Sequence, residues 1–197
     1  MEVSTIDAAD TTRNMIKTEK LISSKQIYQG TTITLSQDKV EFPDGQKTIR
    51  EVVKHSDVVA MVAIDPQDNV LLVKQFRYSV GKSLLEIPAG GIEPGEQPLS
   101  AVRRELQEEI GYLPGNIINL GSFYAVPGYG TQCYHCYLTS DLIPSQLTAD
   151  DTESIEIVKI PLTQLERRIT SGEIGDAKST AALLLFLLWI KENKLHQ

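Results

Sequence analysis

Two segments of the chain, Val58–Asp65 and Asn69–Phe76, are apolar almost without interruption, and Asp65-Pro-Gln-Asp68 lies between them. Unbroken apolar runs of this length, bounded by turn residues, predict strands covered on both faces and joined as a hairpin. Upstream the pattern is weaker and alternating. It predicts short strands over 25–28, 31–37, 39–42 and 48–54, with Phe42-Pro-Asp-Gly-Gln46 as a hairpin turn between two of them. Downstream, Leu84-Leu-Glu-Ile-Pro-Ala-Gly-Gly91 reads as a strand entering a glycine-rich loop, followed by a helix over 98–110. Pro98 suits the first helical turn, where its missing N–H costs little, and Gly111 suits the residue after the helix end. Further strands are predicted over 121–125, 132–138 and 154–160, and helices over 162–171 and 178–194. Helices interleaved with a mixed set of strands predict a layered α/β/α arrangement, with a small antiparallel β segment in front of it. The expected organisation is a flexible tail over 1–19, an N-terminal β segment over 20–55 and a main domain over 56–197.

Composition narrows the partners. The 197 residues suit one medium domain with an extension. Nineteen Lys and Arg stand against 26 Asp and Glu, a net charge of −7 with no basic block, so nucleic acid is not expected as a partner. The N-terminus lacks the basic-then-apolar order of a secretory signal, and the longest apolar run, Ala181–Ile190, is about half a membrane span. A cytoplasmic protein with no membrane contact is expected. Cys133 and Cys136 form a C-x-x-C, but they fall in a predicted strand, where an odd separation sends the two thiols to opposite faces. They read as structural thiols, and His55 and His135 as structural histidines.

The chemistry concentrates on the helix over 98–110. Leu99, Val102, Leu106 and Ile110 fall within about 80° of one another and form the expected core stripe. Glu105, Glu108 and Glu109 occupy an adjoining sector of roughly 100°, beside the core rather than opposite it. Carboxylates in that position suit hard cations such as Mg²⁺ or Mn²⁺. Arg104 is placed to brace them, and the Ala89-Gly90-Gly91 turn ahead of the helix lets backbone approach closely. Gly90, five residues, Glu96, seven residues, then Arg104-Glu105-Leu106-Gln107-Glu108-Glu109-Ile110-Gly111-Tyr112 resembles the Nudix box of Nudix hydrolases. Its seven fixed positions are met, and only the usually aliphatic last position differs, being Tyr112.

The resemblance implies a Nudix-type α/β/α sandwich with a mixed sheet, and hydrolysis of a nucleoside diphosphate linked to another group. It implies Mg²⁺ (or Mn²⁺) held by the Ala89 carbonyl, Glu105, Glu108 and Glu109, with Glu96 and Arg104 structural. The stretch Gln75-Phe-Arg-Tyr-Ser-Val-Gly-Lys-Ser-Leu-Leu-Glu86 and Pro127, fifteen residues past the box, are similar to ADP-ribose pyrophosphatases. Hydrolysis of ADP-ribose to AMP and ribose 5-phosphate is therefore the expected activity. Another nucleoside diphosphate sugar, or non-catalytic sensing of ADP-ribose, is the alternative. Arg77 is then the candidate for a phosphate, and Glu86 for a ribose hydroxyl or for Arg77 itself. Tyr28, Arg50, Pro127 and Gly128 complete the substrate-binding candidates. Many such enzymes carry an acid where this chain has Gln132, so the general base falls to Glu153 in the Asp150–Glu156 loop, or to a box acid such as Glu108, with Glu109 beside it. Relatives of this kind pair through their N-terminal β segment, which implies a homodimer.

Overall fold

The computed structural model describes residues 18–148 and 155–194. Packing divides the chain after Lys54 into two units.

The first unit is a three-stranded antiparallel meander, β1 (Lys20–Gln29), β2 (Thr34–Glu41) and β3 (Lys47–Lys54), in that spatial order. The turn between β2 and β3 closes as its residues predict, with Phe42 and Gly45 bonded across it. Two strands expected over 31–37 and 39–42 are one. Lys39 pairs with Ile49 in an unbroken β2–β3 register, so Asp38 does not end the strand as its polarity suggests. β1 is also longer than the expected 25–28, and all ten of its residues are exposed, Leu21, Ile22, Ile27 and Tyr28 among them.

The second unit is built on a mixed seven-stranded sheet. Its main path runs β10 (Glu156–Pro161), β5 (Asn69–Arg77), β4 (Val58–Ile64), β9 (Cys133–Pro144) and β8 (Tyr112–Tyr124). The short strands β6 (Lys82–Glu86) and β7 (Ala89–Gly91) pair with β5 and β4. β4 and β9 run parallel and the other pairs antiparallel. The unbroken apolar run of β4 is explained by the two layers it separates. Val59, Met61 and Ala63 face α1 (Pro98–Glu109), packing with Ala101, Val102 and Leu106. Ala60 and Val62 face the other way, into a core shared with Leu165 of α2 (Leu165–Thr170) and Ala182, Leu183 and Phe186 of α3 (Ala177–Lys194). This is the α/β/α sandwich expected from the pattern.

Two local expectations are corrected. Leu99 is 47% exposed, and Ala101 takes its place in the core beside Val102, Leu106 and Ile110. Leu99 lies in the first helical turn, where angular position alone does not bring a side chain over the sheet. β8 spans thirteen residues rather than five, because β9 pairs along its length from Tyr112 to Tyr124. Cys133 and Cys136 are both unpaired, and Cys136 is buried in the core while Cys133 is partly exposed. Burial pushes the Cys136 thiol up to about 12, which keeps it protonated and inert.

Candidate active site

The site is assembled where the glycine turn meets α1. Gln97 precedes the helix with extended backbone, Pro98 takes the first position, and Gly111 closes the end at φ +76°. β7 hydrogen-bonds along β4, which lays Ala89–Gly91 across the helix face that carries the acids. The approach is close: a Cβ built on Gly90 would stand 1.8 Å from the carboxyl carbon of Glu105. No other residue type fits there without moving that carboxylate.

Arg104 organises the surroundings. Its Nε and Nη2 donate to the two oxygens of Glu96 at 3.0 and 2.9 Å, and Nη2 also donates to the Gly91 carbonyl at 2.8 Å. Nη1 donates to Glu105 at 2.7 Å and to Glu108 at 3.0 Å. One guanidinium thus ties the loop, the turn and two of the three acids together, a use for which its planar fork is suited. Its hydrogen bonds hold the Glu96 carboxyl below the usual carboxylate range.

Two of the box acids, Glu105 and Glu109, are strained electrostatically. Burial raises the pKa of Glu105. Burial, together with the nearby Glu105 charge, pushes Glu109 up to about 8, although the Ala89 N–H donates to its carboxylate at 3.0 Å. Without a cation, then, the cluster cannot hold all its charges near neutral pH. Hard oxygen donors that are buried or partly buried, close to backbone and short of positive charge fit a divalent ion of the Mg²⁺ type. Among the described residues no three carboxylates already converge as a ligand set. Glu105 and Glu108 are turned onto Arg104, and gathering them with Glu109 needs rotation of those side chains.

Beside the glycine turn opens a cleft of about 680 Å³. Its walls include Ala89, Gly90 and Gly91, the Arg77–Glu86 pair, Lys178 at the start of α3, and the aromatic pair Phe123–Tyr134, whose ring centroids are 5.6 Å apart. A larger groove of about 1070 Å³ runs between α2 and α3, but it is lined largely by leucines and isoleucines and holds none of the box acids. The smaller cleft combines charge, aromatic surface and the turn, and is the candidate site.

Of the substrate-binding candidates, Arg77 and Glu86 come together in this cleft. Arg77 Nε and Nη2 donate to the two Glu86 oxygens at 2.8 and 2.9 Å. Glu86 is 3% exposed, so the pair is built into the wall rather than turned to solvent. Burial works against its charge, but the Arg77 hydrogen bonds and the Lys178 charge outweigh it and hold the pKa below its usual value. Pro127 and Gly128 lie at the exposed end of the β8–β9 loop, next to Ala125 and Val126, which do line the cleft. Tyr28 and Arg50 belong to the N-terminal sheet; Tyr28 is exposed, and Arg50 pairs with Glu19 and lies over the Phe42 ring. Glu153 and Asp150 to Thr152 lie outside the described residues. Gln132 lines the cleft bonded to His55, so His55 belongs to this wall although the sequence marks it only as structural. Lys178, Phe123 and Tyr134 carry no motif; a lone cation opening an otherwise apolar helix was the one available signal.

Comparison with known proteins agrees with this geometry. Residues 54–183 match the NUDIX domain, and residues 19–53 match the nucleoside diphosphate sugar hydrolase N-terminal domain. An ADP-ribose pyrophosphatase of Bacillus subtilis (strain 168) is 35% identical over 167 residues, 84% of this chain and 90% of that protein. A methanol dehydrogenase activator of Bacillus methanolicus is also 35% identical, over the same shares of both chains. The crystal structure of an ADP compounds hydrolase superposes with a TM-score of 0.84 at 22% identity, covering 91% of this chain and 98% of the other. The sandwich, the box on α1 and these matches lead to one statement: the chain belongs to the Nudix family.

Proposed function

We propose that the protein is a Mg²⁺-dependent hydrolase that cleaves the diphosphate of ADP-ribose to AMP and ribose 5-phosphate. The observation that carries this is the partly buried, charge-deficient Glu105–Glu109 cluster packed against the Gly90 turn, at the edge of a cleft that also holds a guanidinium. Glu105, Glu108, Glu109 and the Ala89 backbone are the groups that would hold the cation. A divalent ion bound there supplies polarised phosphoryl oxygens, a water of lowered pKa, and charge to offset the diphosphate. Arg77, braced by Glu86, offers its guanidinium to a phosphate, and Phe123 and Tyr134 offer ring surface to a flat or apolar part of the substrate. Glu153 or a box acid such as Glu108 takes the proton from the attacking water. Likeness to an ADP-ribose pyrophosphatase across 84% of the chain supports the choice of substrate.

A second reading keeps the chemistry and changes the sugar or base. It is favoured by the match of residues 19–53 to an N-terminal domain described for nucleoside diphosphate sugar hydrolases in general. Formation of AMP or GMP from ADP-ribose, ADP-glucose and GDP-mannose, with and without Mg²⁺, separates the two. Turnover in ¹⁸O-water then identifies the phosphorus attacked. Absence of Mg²⁺-dependent cleavage on every member of the panel would refute both.

The N-terminal segment, about residues 20–55, is proposed to associate with a second copy of the chain. A three-stranded sheet whose edge strand exposes all ten residues has little core of its own, and a partner copy would cover it. Tyr28 and Arg50 are the residues of that segment proposed to reach substrate. A single 21.8 kDa species in sedimentation at micromolar concentration would remove the dimer. A cytoplasmic location remains part of the proposal; no helix among the described residues is long and apolar enough to cross a membrane.

A further inference from the structure

The cleft wall contains a buried ammonium whose direct contacts all lie outside the acid cluster. Lys178, in the first turn of α3, has a side chain only 10% exposed, and its Nζ lies 3.1 Å from Glu86 Oε2 and 3.6 Å from Asp176 Oδ1. The same nitrogen donates to the Ile87 carbonyl and to Ser179 Oγ, each at 3.3 Å. Ser179 Oγ in turn accepts the Ile87 N–H at 2.9 Å. Both backbone polar groups of Ile87 are therefore held by two consecutive residues of α3. Ile87 stands between Glu86, which carries Arg77, and the Pro88–Gly91 segment that packs on the metal-site acids. Arg77 pairs with Glu86, and Lys178 with Glu86 and Asp176, while the charges of both cations also reach Glu109.

A buried lysine is an expensive way to fasten a helix to a strand, since an apolar residue of like volume packs there without a desolvation cost. What an apolar residue cannot do is set the position of a carboxylate. We propose that Lys178 is a positioning residue for diphosphate recognition: clamped on Glu86 and on the Ile87 carbonyl, it fixes the Arg77 guanidinium relative to the Ala89–Gly91 turn. In this arrangement Arg77 is fixed from behind through Glu86, and the spacing between the phosphate-binding cation and the metal-holding turn is set by α3. The inference rests on the hydrolase reading for the identity of the ligand, but its own content is a coupling between Lys178 and Arg77.

The test is a double-variant cycle read as binding of α,β-methylene ADP-ribose by calorimetry, with melting temperature measured alongside. Lys178→Met should weaken analogue binding about tenfold, the effect of removing one charge-assisted hydrogen bond, and Arg77→Ala should weaken it at least as much. The variant carrying both should bind no worse than Arg77→Ala alone, because Lys178 acts through Arg77. Losses that multiply, or a Lys178→Met protein that melts lower but binds normally, would overturn the proposal. Should Lys178→Met fail to fold, Lys178→Gln keeps a donor for the Ile87 carbonyl while removing the charge, and the same coupling is expected of it. Wild-type protein that binds the analogue but leaves ADP-ribose intact refutes the hydrolase reading alone; wild-type protein that binds no analogue overturns both.

Discussion

Gly90→Ala isolates the contact between the glycine turn and the proposed metal site. The added Cβ would stand 1.8 Å from the Glu105 carboxyl carbon and 1.9 and 2.1 Å from its two oxygens. Ordinary carbon contacts lie at about 3.5–4.0 Å, so the carboxylate must retreat by about 2 Å. The retreat is mechanically easy, because the obstacle is the far end of a flexible side chain. It costs about 0.5–1.5 kcal/mol in rotamer strain and up to about 1 kcal/mol for the Arg104–Glu105 pair. Part of this is offset, since alanine narrows the unfolded ensemble by about 0.4–1 kcal/mol relative to glycine, and Gly90 does not have a left-handed φ. A net loss near 1 kcal/mol lowers the melting temperature by about 2–4 °C for a chain of this size. Catalysis is far less tolerant. Functional groups must be held within about 0.5 Å, and a misplacement of about 1 Å costs on the order of a hundredfold. The expected outcome is a folded protein with kcat for ADP-ribose reduced at least about a hundredfold, and weaker Mg²⁺ binding by calorimetry in the presence of a substrate analogue. Turnover within twofold of wild type, measured by phosphatase-coupled phosphate release, would show that the close approach of Gly90 to Glu105 is not needed for activity.

Glu109→Gln keeps an acceptor for the Ala89 N–H but removes the charge, and is expected to abolish Mg²⁺-dependent turnover. The same change should stabilise the metal-free protein near pH 8. Glu109 has a folded pKa raised to about 8 from an ordinary value of 4.5, so its contribution is fully present below the unfolded value and declines as pH rises from there to about 8. Melting of the wild type in chelator should therefore fall across that window, and the variant should flatten the profile. Arg104→Lys cannot reproduce five hydrogen bonds to Glu96, Gly91, Glu105 and Glu108; a drop of about 2–3 kcal/mol in chemical denaturation is expected, together with loss of activity. Asp65→Ala removes the acceptor for the Gln67 and Asn69 N–H groups and the partner of Lys159, which should cost about 1–2 kcal/mol and leave kcat unchanged. The stability removed is that of a carboxylate held down from 3.8 to about 2, so the difference between wild type and variant should shrink as pH falls below about 4 and vanish only below about pH 2.

What the sequence revealed follows from whether the responsible contact is local or distant. The two-faced strand β4 was legible because its apolar run must be covered on both sides, and α1 covers one side while α2 and α3 cover the other. The acids on α1 were legible because helical spacing alone places them beside the core. Of β8 only the last part was, since Pro114, Gly115, Asn116 and Asn119 argue against a strand locally and only pairing with β9 overrides them. Lys178 was hidden for the same reason carried further: its meaning lies in Glu86, 92 positions earlier, and a single cation at the start of an apolar helix has a bland reading by itself. The box could be read as a unit because its proposed ligands share one helix and the loop before it. The cleft wall proposed to meet substrate draws Arg77 and Glu86 from β5 and β6, Phe123 and Tyr134 from β8 and β9, and Lys178 from α3, joined by folding alone. If specificity resides in that wall, exchanging residues of the wall should shift the choice among nucleoside diphosphate sugars while leaving Mg²⁺ dependence intact. Exchanging residues of the box should do the reverse, and ranking kcat/KM over the substrate panel for both sets of variants decides whether the two functions separate in this way.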